Sequence, residues 1–133
     1  TDGSIDYMCF PQFDSPTVFA ALLDDAGGGR FRISPTEEDC RLKQLYLPDT
    51  NILLTRFLSE EGVAEISDFM PVHPEPHPSA LVRRVKMVRG AVPFRMRCAP
   101  RFDYARAHHS VELVEGGVEG TPGVRHRTSA VGM

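Results

Sequence analysis

The fold class of this chain is decided by the stretch Val92-Pro93-Phe94-Arg95-Met96-Arg97-Cys98-Ala99. Apolar side chains at Phe94, Met96 and Cys98 alternate with arginines at positions 95 and 97. A period of two is typical of a strand with one face buried and the other in water. The stretch therefore predicts a β-strand from Val92 to Ala99.

Similar short runs surround this strand on both sides. Pro48–Asn51 and Ser59–Gly62 have turn composition and separate β-type runs, which indicates an antiparallel meander. The glycines Gly27–Gly29 predict a turn, and the proline-rich stretch 71–78 and the glycine-rich stretch Gly116–Gly123 predict loops. The other predicted strands are Tyr7–Phe10, Arg30–Ser34, Arg41–Leu47, Ile52–Leu58, Val63–Met70, Ala80–Arg89, Val111–Val114 and Val124–Thr128. Many short strands with frequent turns predict an all-β antiparallel sandwich.

One short helix is predicted near the N-terminus. Ser15 supplies a hydroxyl of the kind that caps helices, and Pro16 follows it at the first helical position, where a missing amide costs nothing. The helix is expected to run from about Pro16 to Leu23.

Composition narrows the classes of protein and partner. A length of 133 residues fits one domain, and a net charge of −3 gives no general attraction to nucleic acid or to anionic lipid. No apolar run approaches the ~20 residues that span a bilayer. Three separated cysteines predict reduced and mostly buried thiols. His73 and His77 have the spacing of metal ligands on a helix, but the surrounding prolines exclude that helix, so no metal and no cofactor is predicted.

Six segments of the chain together form a recognisable set. They are Gly3–Pro16, Arg30–Ile33, Tyr46–Asn51, Val63–Pro71, Leu81–Val85 and Pro100–Tyr104. This set resembles the N-terminal β-sandwich region of bacterial glucoamylase-like and trehalase-like enzymes of glycoside hydrolase family fifteen. The usual pattern of that family has Trp where Tyr7 stands and a basic residue where Gln12 stands.

The resemblance implies a supersandwich-like fold followed by an α-helical barrel in the same polypeptide. In that family the barrel carries the catalytic glutamates, and the sequence holds no such barrel. We therefore expect residues 1–133 to be a single partial domain, truncated at both ends and inactive by itself. Asp6, Asp14, Asp68 and Asp103 lie in apolar or aromatic surroundings, where burial can raise a carboxyl pKa. We interpret them as turn, cap or hydrogen-bonding groups and predict no catalytic residue.

Gln12, Phe13, Asp14 and Ser15 form the strongest candidate for an indirect role. Aromatic faces beside polar groups suit sugar recognition, and the resemblance implies that this loop lies against the catalytic domain and shapes the substrate entrance. The alternative is a structural turn in which Phe13 fills the core and Asp14 or Ser15 caps the helix.

Two further sets of charged residues each allow two interpretations. Arg101 and Asp103 form either an interdomain contact or an ion pair at a strand end. Four arginines form either a basic stripe or an ordinary solvated face, and alternation along strands favours the second interpretation. They are Arg83, Arg84, Arg95 and Arg97.

The leading functional hypothesis is a non-catalytic N-terminal domain of a cytoplasmic glycoside hydrolase. The resemblance implies α-glucosidic substrates such as trehalose or maltooligosaccharides, with the α-glucoside at the domain interface and the downstream catalytic domain as the partner. One alternative is a free-standing carbohydrate-binding module, although the chain has no Trp and only three Tyr. Another is a structural domain that forms homo-oligomers through an open sheet edge.

Overall fold

A computed structural model describes residues 2–37, 39–72, 79–114 and 117–121. These residues form eleven strands and contain no α-helix. The strands are β1 (Ser4–Ile5), β2 (Met8–Cys9), β3 (Thr17–Phe19), β4 (Arg30–Pro35), β5 (Arg41–Tyr46), β6 (Leu53–Leu58), β7 (Gly62–Phe69), β8 (Val82–Gly90), β9 (Phe94–Ala99), β10 (Ser110–Val114) and β11 (Gly117–Thr121). All of their pairings are antiparallel.

Two sheets pack face to face and confirm the predicted all-β sandwich. A four-stranded meander has the order β5-β6-β7-β8, and a three-stranded sheet has the order β1-β4-β9. Ile33 of β4 packs with Phe57 and Ile66 of the meander, and each of these side chains is at most 5% exposed. The rings of Phe57 and Phe94 meet edge to face, with centroids 5.4 Å apart. Because side chains alternate between the two faces of each strand, one face of each sheet points inward, and the two inner faces form a shared core.

A second core lies beneath the two-stranded hairpin of β2 and β3. Val18, Phe19 and Phe102 are buried there, with Met8 and Phe31 packed against them. Because Phe31 also packs against the first core, the hairpin is joined to the sandwich by continuous apolar contact.

The predicted helix from Pro16 to Leu23 is wrong. Thr17–Phe19 instead forms β3, which pairs with Met8–Cys9, and the chain then turns with the amide of Leu23 donating to the carbonyl of Ala20 at 2.9 Å. Thr17, Val18 and Phe19 are each 1% exposed. β-branched and aromatic side chains suit a strand, and burial of the whole segment overrides the local helix-start signal.

Most other predicted elements are confirmed, with ends shifted by one or two residues. The loop predicted over Gly116–Gly123 is wrong, because Gly117–Thr121 pairs with β10 as β11. The cysteines are free, as predicted, but the prediction that they are mostly buried is wrong, because Cys9 and Cys40 are half-buried and Cys98 is exposed. The strand predicted at Val124–Thr128 and most of the loop predicted at 71–78 lie outside the described residues.

The strand that decides the fold class is only partly covered. Met96 lies opposite Ile33 in the β4–β9 ladder, so both side chains point to the inner face. Ile33 is 5% exposed, whereas Met96 is 49% exposed. The alternation correctly predicts the faces of β9, but the facing meander covers only part of the inner one.

One arginine predicted on a solvated face lies inside the sandwich. The Arg83 side chain is 2% exposed, and its Nε and Nη2 donate to the Asp68 carboxylate at 2.8 and 3.1 Å. Its Nη1 and Nη2 also donate to the carbonyls of Phe31 and Gly3 at 2.7 and 2.8 Å. Its guanidinium lies 4.7 Å from the centre of the Phe31 ring. Arg84 is exposed, as predicted, so the prediction fails only where an arginine has buried partners.

No helix among the described residues has the length and apolar character needed to cross a membrane.

Candidate functional site

The loop from Phe10 to Pro16 forms the tip of the β2–β3 hairpin and carries four of the candidate residues. The Ser15 amide donates to the Gln12 carbonyl at 3.1 Å, and the Gln12 amide donates to Ser15 Oγ at 3.2 Å. These two bonds close a tight turn, so Ser15 stabilises a loop and caps no helix. Phe13 is 93% exposed, which excludes the alternative that it fills the core, and Asp14 is exposed beside it.

The other two candidate residues belong to a turn that follows β9. Asp103 Oδ1 accepts from Arg106 Nη2 at 2.7 Å, and its carbonyl accepts from the Arg106 amide at 3.0 Å. The predicted pairing of Arg101 with Asp103 is therefore wrong, and Arg101 Nη1 instead donates to the carbonyl of Pro100 at 2.9 Å. The Arg106 guanidinium also lies 5.5 Å from the centre of the Tyr104 ring.

Strand β3 brings the two candidate segments together. The Arg101 amide donates to the Val18 carbonyl at 2.8 Å, and the Tyr104 amide donates to Thr17 Oγ1 at 3.2 Å. Phe102 between them is 6% exposed and packs against Val18. The hairpin and the turn after β9 therefore share one supporting core, which places Asp103 beside the strand that follows the Gln12–Ser15 loop.

Two exposed tyrosines that were not among the candidates flank the same hairpin, because Tyr7 precedes β2 and the Tyr104 amide is held by Thr17 of β3. Tyr7 and Tyr104 are each 44% exposed, and the Cys9 thiol donates to the Tyr7 hydroxyl across 3.8 Å. Cys9, first through that hydrogen bond and then through its charge, raises the pKa of Tyr7, and Tyr104 adds to the shift. A tyrosine phenol is neutral near pH 7 at its ordinary pKa, and an upward shift of the Tyr7 pKa leaves it so. The sequence signal that could have identified these two tyrosines is their position next to the candidate segments. We call Gln12, Phe13, Tyr7 and Tyr104 the tip surface.

The tip surface has the chemistry of a contact surface. Exposed aromatic rings, an amide and a neutral phenol suit stacking and hydrogen bonding to a sugar or to another protein domain. Among the described residues, no group of three metal-ligating side chains converges. Asp68, one of the carboxylates considered for chemistry, is held by Arg83 in the core.

The turn after β9 has unusual backbone geometry. Asp103, Tyr104 and Ala105 have φ angles of 51°, 55° and 64°, a left-handed conformation that ordinary residues seldom adopt. The bonds from Arg106 to Asp103 and from Tyr104 to Thr17 hold this conformation. Non-glycine residues in such strained conformations cluster at functional sites and persist only when their surroundings enforce them.

Substitution of Ala105 tests this geometry. We expect Ala105→Val to lower the free energy of unfolding by about 1–2 kcal/mol, because a β-branched side chain is poorly tolerated at positive φ. Ala105→Gly is expected to be at least as stable as the parent chain, since glycine adopts this conformation freely. Urea unfolding of the three chains measures the order. Equal stability of the Val and Gly variants would contradict the left-handed turn.

The described residues form a β-sandwich domain with exposed aromatic side chains at one hairpin tip. Residues 1–124 match the family model described as trehalase-like, N-terminal. The chain belongs to this trehalase-like N-terminal family.

Similar curated proteins are trehalases. Trehalase 1 of Sulfolobus acidocaldarius is 37% identical over 118 residues, which cover 89% of this chain and 20% of that protein. Trehalase of Thermoplasma acidophilum is 34% identical, with coverages of 87% and 21%. Trehalase of Mycolicibacterium smegmatis is 33% identical, with coverages of 78% and 18%. The chain thus spans about a fifth of the length of these relatives. No solved structure matches it.

Proposed function

We propose that this chain is the non-catalytic N-terminal domain of a glycoside hydrolase that cleaves an α-glucosidic bond, with trehalose as the first candidate substrate. The observation that carries the proposal is the match of residues 1–124 to the trehalase-like N-terminal family. The matched segment covers only about a fifth of the similar trehalases, which leaves room for a separate catalytic part on the same polypeptide. In this proposal the enzyme is cytoplasmic.

The exposed side chains around the hairpin support a docking role. Leu22 and Leu23 follow β3 and are 72% and 68% exposed, and Phe13 at the tip is 93% exposed. Large exposed apolar side chains on a rigid support are typical of surfaces that another domain covers. The tip surface is therefore proposed to contact the catalytic part and to shape the substrate entrance there.

Glucose release tests the proposal directly. The 133-residue chain is compared with the full-length product of its gene, with trehalose and with maltooligosaccharides as substrates. We expect no release by the short chain and release from trehalose by the long form. Release by the short chain would overturn the non-catalytic assignment, and release from maltooligosaccharides alone would overturn trehalose as the substrate.

A substitution in the long form tests the role of the tip surface. Phe13→Ala is expected to lower kcat/KM for trehalose several-fold, because an aromatic contact at a domain or sugar interface contributes about 0.5–1.5 kcal/mol beyond its buried area. Val72→Ala is the matched control, since Val72 is 98% exposed and lies in the segment after β7. Equal activities of the two variants would contradict a tip surface at the substrate entrance.

A further inference from the structure

One face of the three-stranded sheet carries a cluster of arginines. In the β4–β9 ladder Arg32 lies opposite Arg97, and Ser34 lies opposite Arg95. Opposite residues share a face, and Arg30 is on the same side because it lies two positions before Arg32. These four arginines, together with Leu42 and Phe57 of the facing meander, line a cleft of about 480 Å³, which we call the arginine cleft.

The positive charge in the arginine cleft is only partly neutralised. Arg32 Nη2 pairs with Asp2 Oδ2 at 3.1 Å, and Arg30 pairs with Asp6 and Asp25. Arg95 and Arg97 make no ion pair with any carboxylate in the described part of the chain. Like charges placed directly opposite on neighbouring strands destabilise the pair unless a counter-ion intervenes. The chain as a whole has a net charge of −3, so this local excess does not come from a basic composition.

Other groups in the arginine cleft favour an anionic occupant. Arg32 Nε is buried and has no hydrogen-bond acceptor within the described ranges. Such a buried donor costs free energy unless an acceptor reaches it. Burial first, and then the charges of Glu37 and Asp39, raise the pKa of the Cys40 thiol, while a hydrogen bond from Ser59 opposes the shift. That thiol lines the cleft as a neutral group and leaves Asp2 and Glu37 as its only lining carboxylates among the described residues.

We propose that the arginine cleft binds a phosphate-class dianion, either inorganic phosphate or the phosphoryl group of a small sugar phosphate. Guanidinium groups bind phosphate oxygens through paired, charge-assisted hydrogen bonds. Arg95 and Arg97, the two cleft arginines with no carboxylate partner within the described ranges, present two guanidiniums to a phosphate that carries close to two negative charges near neutral pH. The site does not depend on the proposed glycosidase function, since none of its arginines belongs to the tip surface.

Isothermal titration calorimetry on the 133-residue chain tests the site. Inorganic phosphate and a hexose phosphate are titrated separately at pH 7.5, with sodium chloride adjusted to keep ionic strength constant. We expect saturable binding with a Kd in the millimolar range or tighter for at least one of them. The tighter probe identifies the source of the phosphate group. An absence of saturable heat for both probes would overturn the proposal.

Paired substitutions separate a site from general charge attraction. Arg95→Gln/Arg97→Gln is expected to weaken phosphate binding at least tenfold. The variant loses two guanidiniums, and each charge-assisted hydrogen bond to an anion contributes more to binding than a hydrogen bond between neutral groups. Both side chains are exposed, so the variant should keep the parent's far-ultraviolet circular dichroism. Arg84→Gln/Arg89→Gln removes the same charge from exposed positions on β8 and should retain binding. Equal weakening by both pairs would refute a specific site. The single change Arg97→Gln, with an expected several-fold effect, decides the matter if the double variant loses structure.

Discussion

Arg83→Met is expected to lower the free energy of unfolding by about 3–5 kcal/mol. The substitution removes the positive charge beside the Asp68 carboxylate, which is 13% exposed, and leaves that carboxylate in the core without its partner. It also removes the hydrogen bonds to the carbonyls of Phe31 and Gly3, which tie β8 to the opposite sheet. An unpaired buried charge costs more than the pair itself contributes, so the single change should be severe. Urea unfolding followed by circular dichroism measures it.

Two companion variants show whether the buried ion pair causes this loss. Arg83→Met/Asp68→Leu removes both charges and should recover much of the lost stability, since apolar replacements of a whole buried pair are often neutral. Arg84→Met changes the exposed neighbour and should stay within about 0.5 kcal/mol of the parent. A similar loss for Arg83→Met and Arg84→Met would show that Arg83 does not hold the two sheets together.

Phe19→Ala is the second substitution with a large expected effect, a loss of about 3–5 kcal/mol. Phe19 is 1% exposed, and it packs with Val18 and Phe102 in the core beneath the hairpin. Truncation leaves a cavity under the strand that joins the tip loop to the turn after β9. The tip surface should lose its order as the fold loses stability. Thermal unfolding of the chain measures the loss of stability.

Phe13→Ala provides a matched control at the other end of the same hairpin. Phe13 is 93% exposed, so its truncation should change the free energy of unfolding by less than about 0.5 kcal/mol. The same Phe→Ala change is therefore expected to cost little stability at the exposed position 13 and much stability at the buried position 19. Comparable losses at the two positions would mean that Phe13 is packed inside the fold.

Local patterns predicted the sheets better than they predicted the segment around the tip surface. Period-two alternation and polar turns place the meander strands almost correctly, because such patterns report which face of a strand is buried. Ser15-Pro16 is a genuine helix-start signal, yet Thr17–Phe19 forms a strand because Met8–Cys9 pairs with it. The local sequence around Thr17–Phe19 does not show that a partner strand lies eight residues earlier, although pairing with that strand stabilises the β-conformation.

The candidate residues were predicted as loop and turn groups, but their contacts were not. The sequence around Asp103 offers no glycine that would announce a left-handed turn, so the conformation depends on Arg106 and Thr17. In the same way, the partner of Asp103 could not be chosen between Arg101 and Arg106 by spacing alone. Ion pairs depend on side-chain directions, and those directions follow from the backbone turn.

Alternation, turn residues and motifs are local properties of the chain, so the sequence predicts the all-β antiparallel class, the limits of most strands and the resemblance to trehalase-like N-terminal domains. The burial of Arg83, the exposure of Phe13 and the gathering of arginines in one cleft follow from the packing of distant segments. These three features depend on which strands become neighbours. That choice minimises the free energy of the whole packed chain, and no window of the sequence contains it.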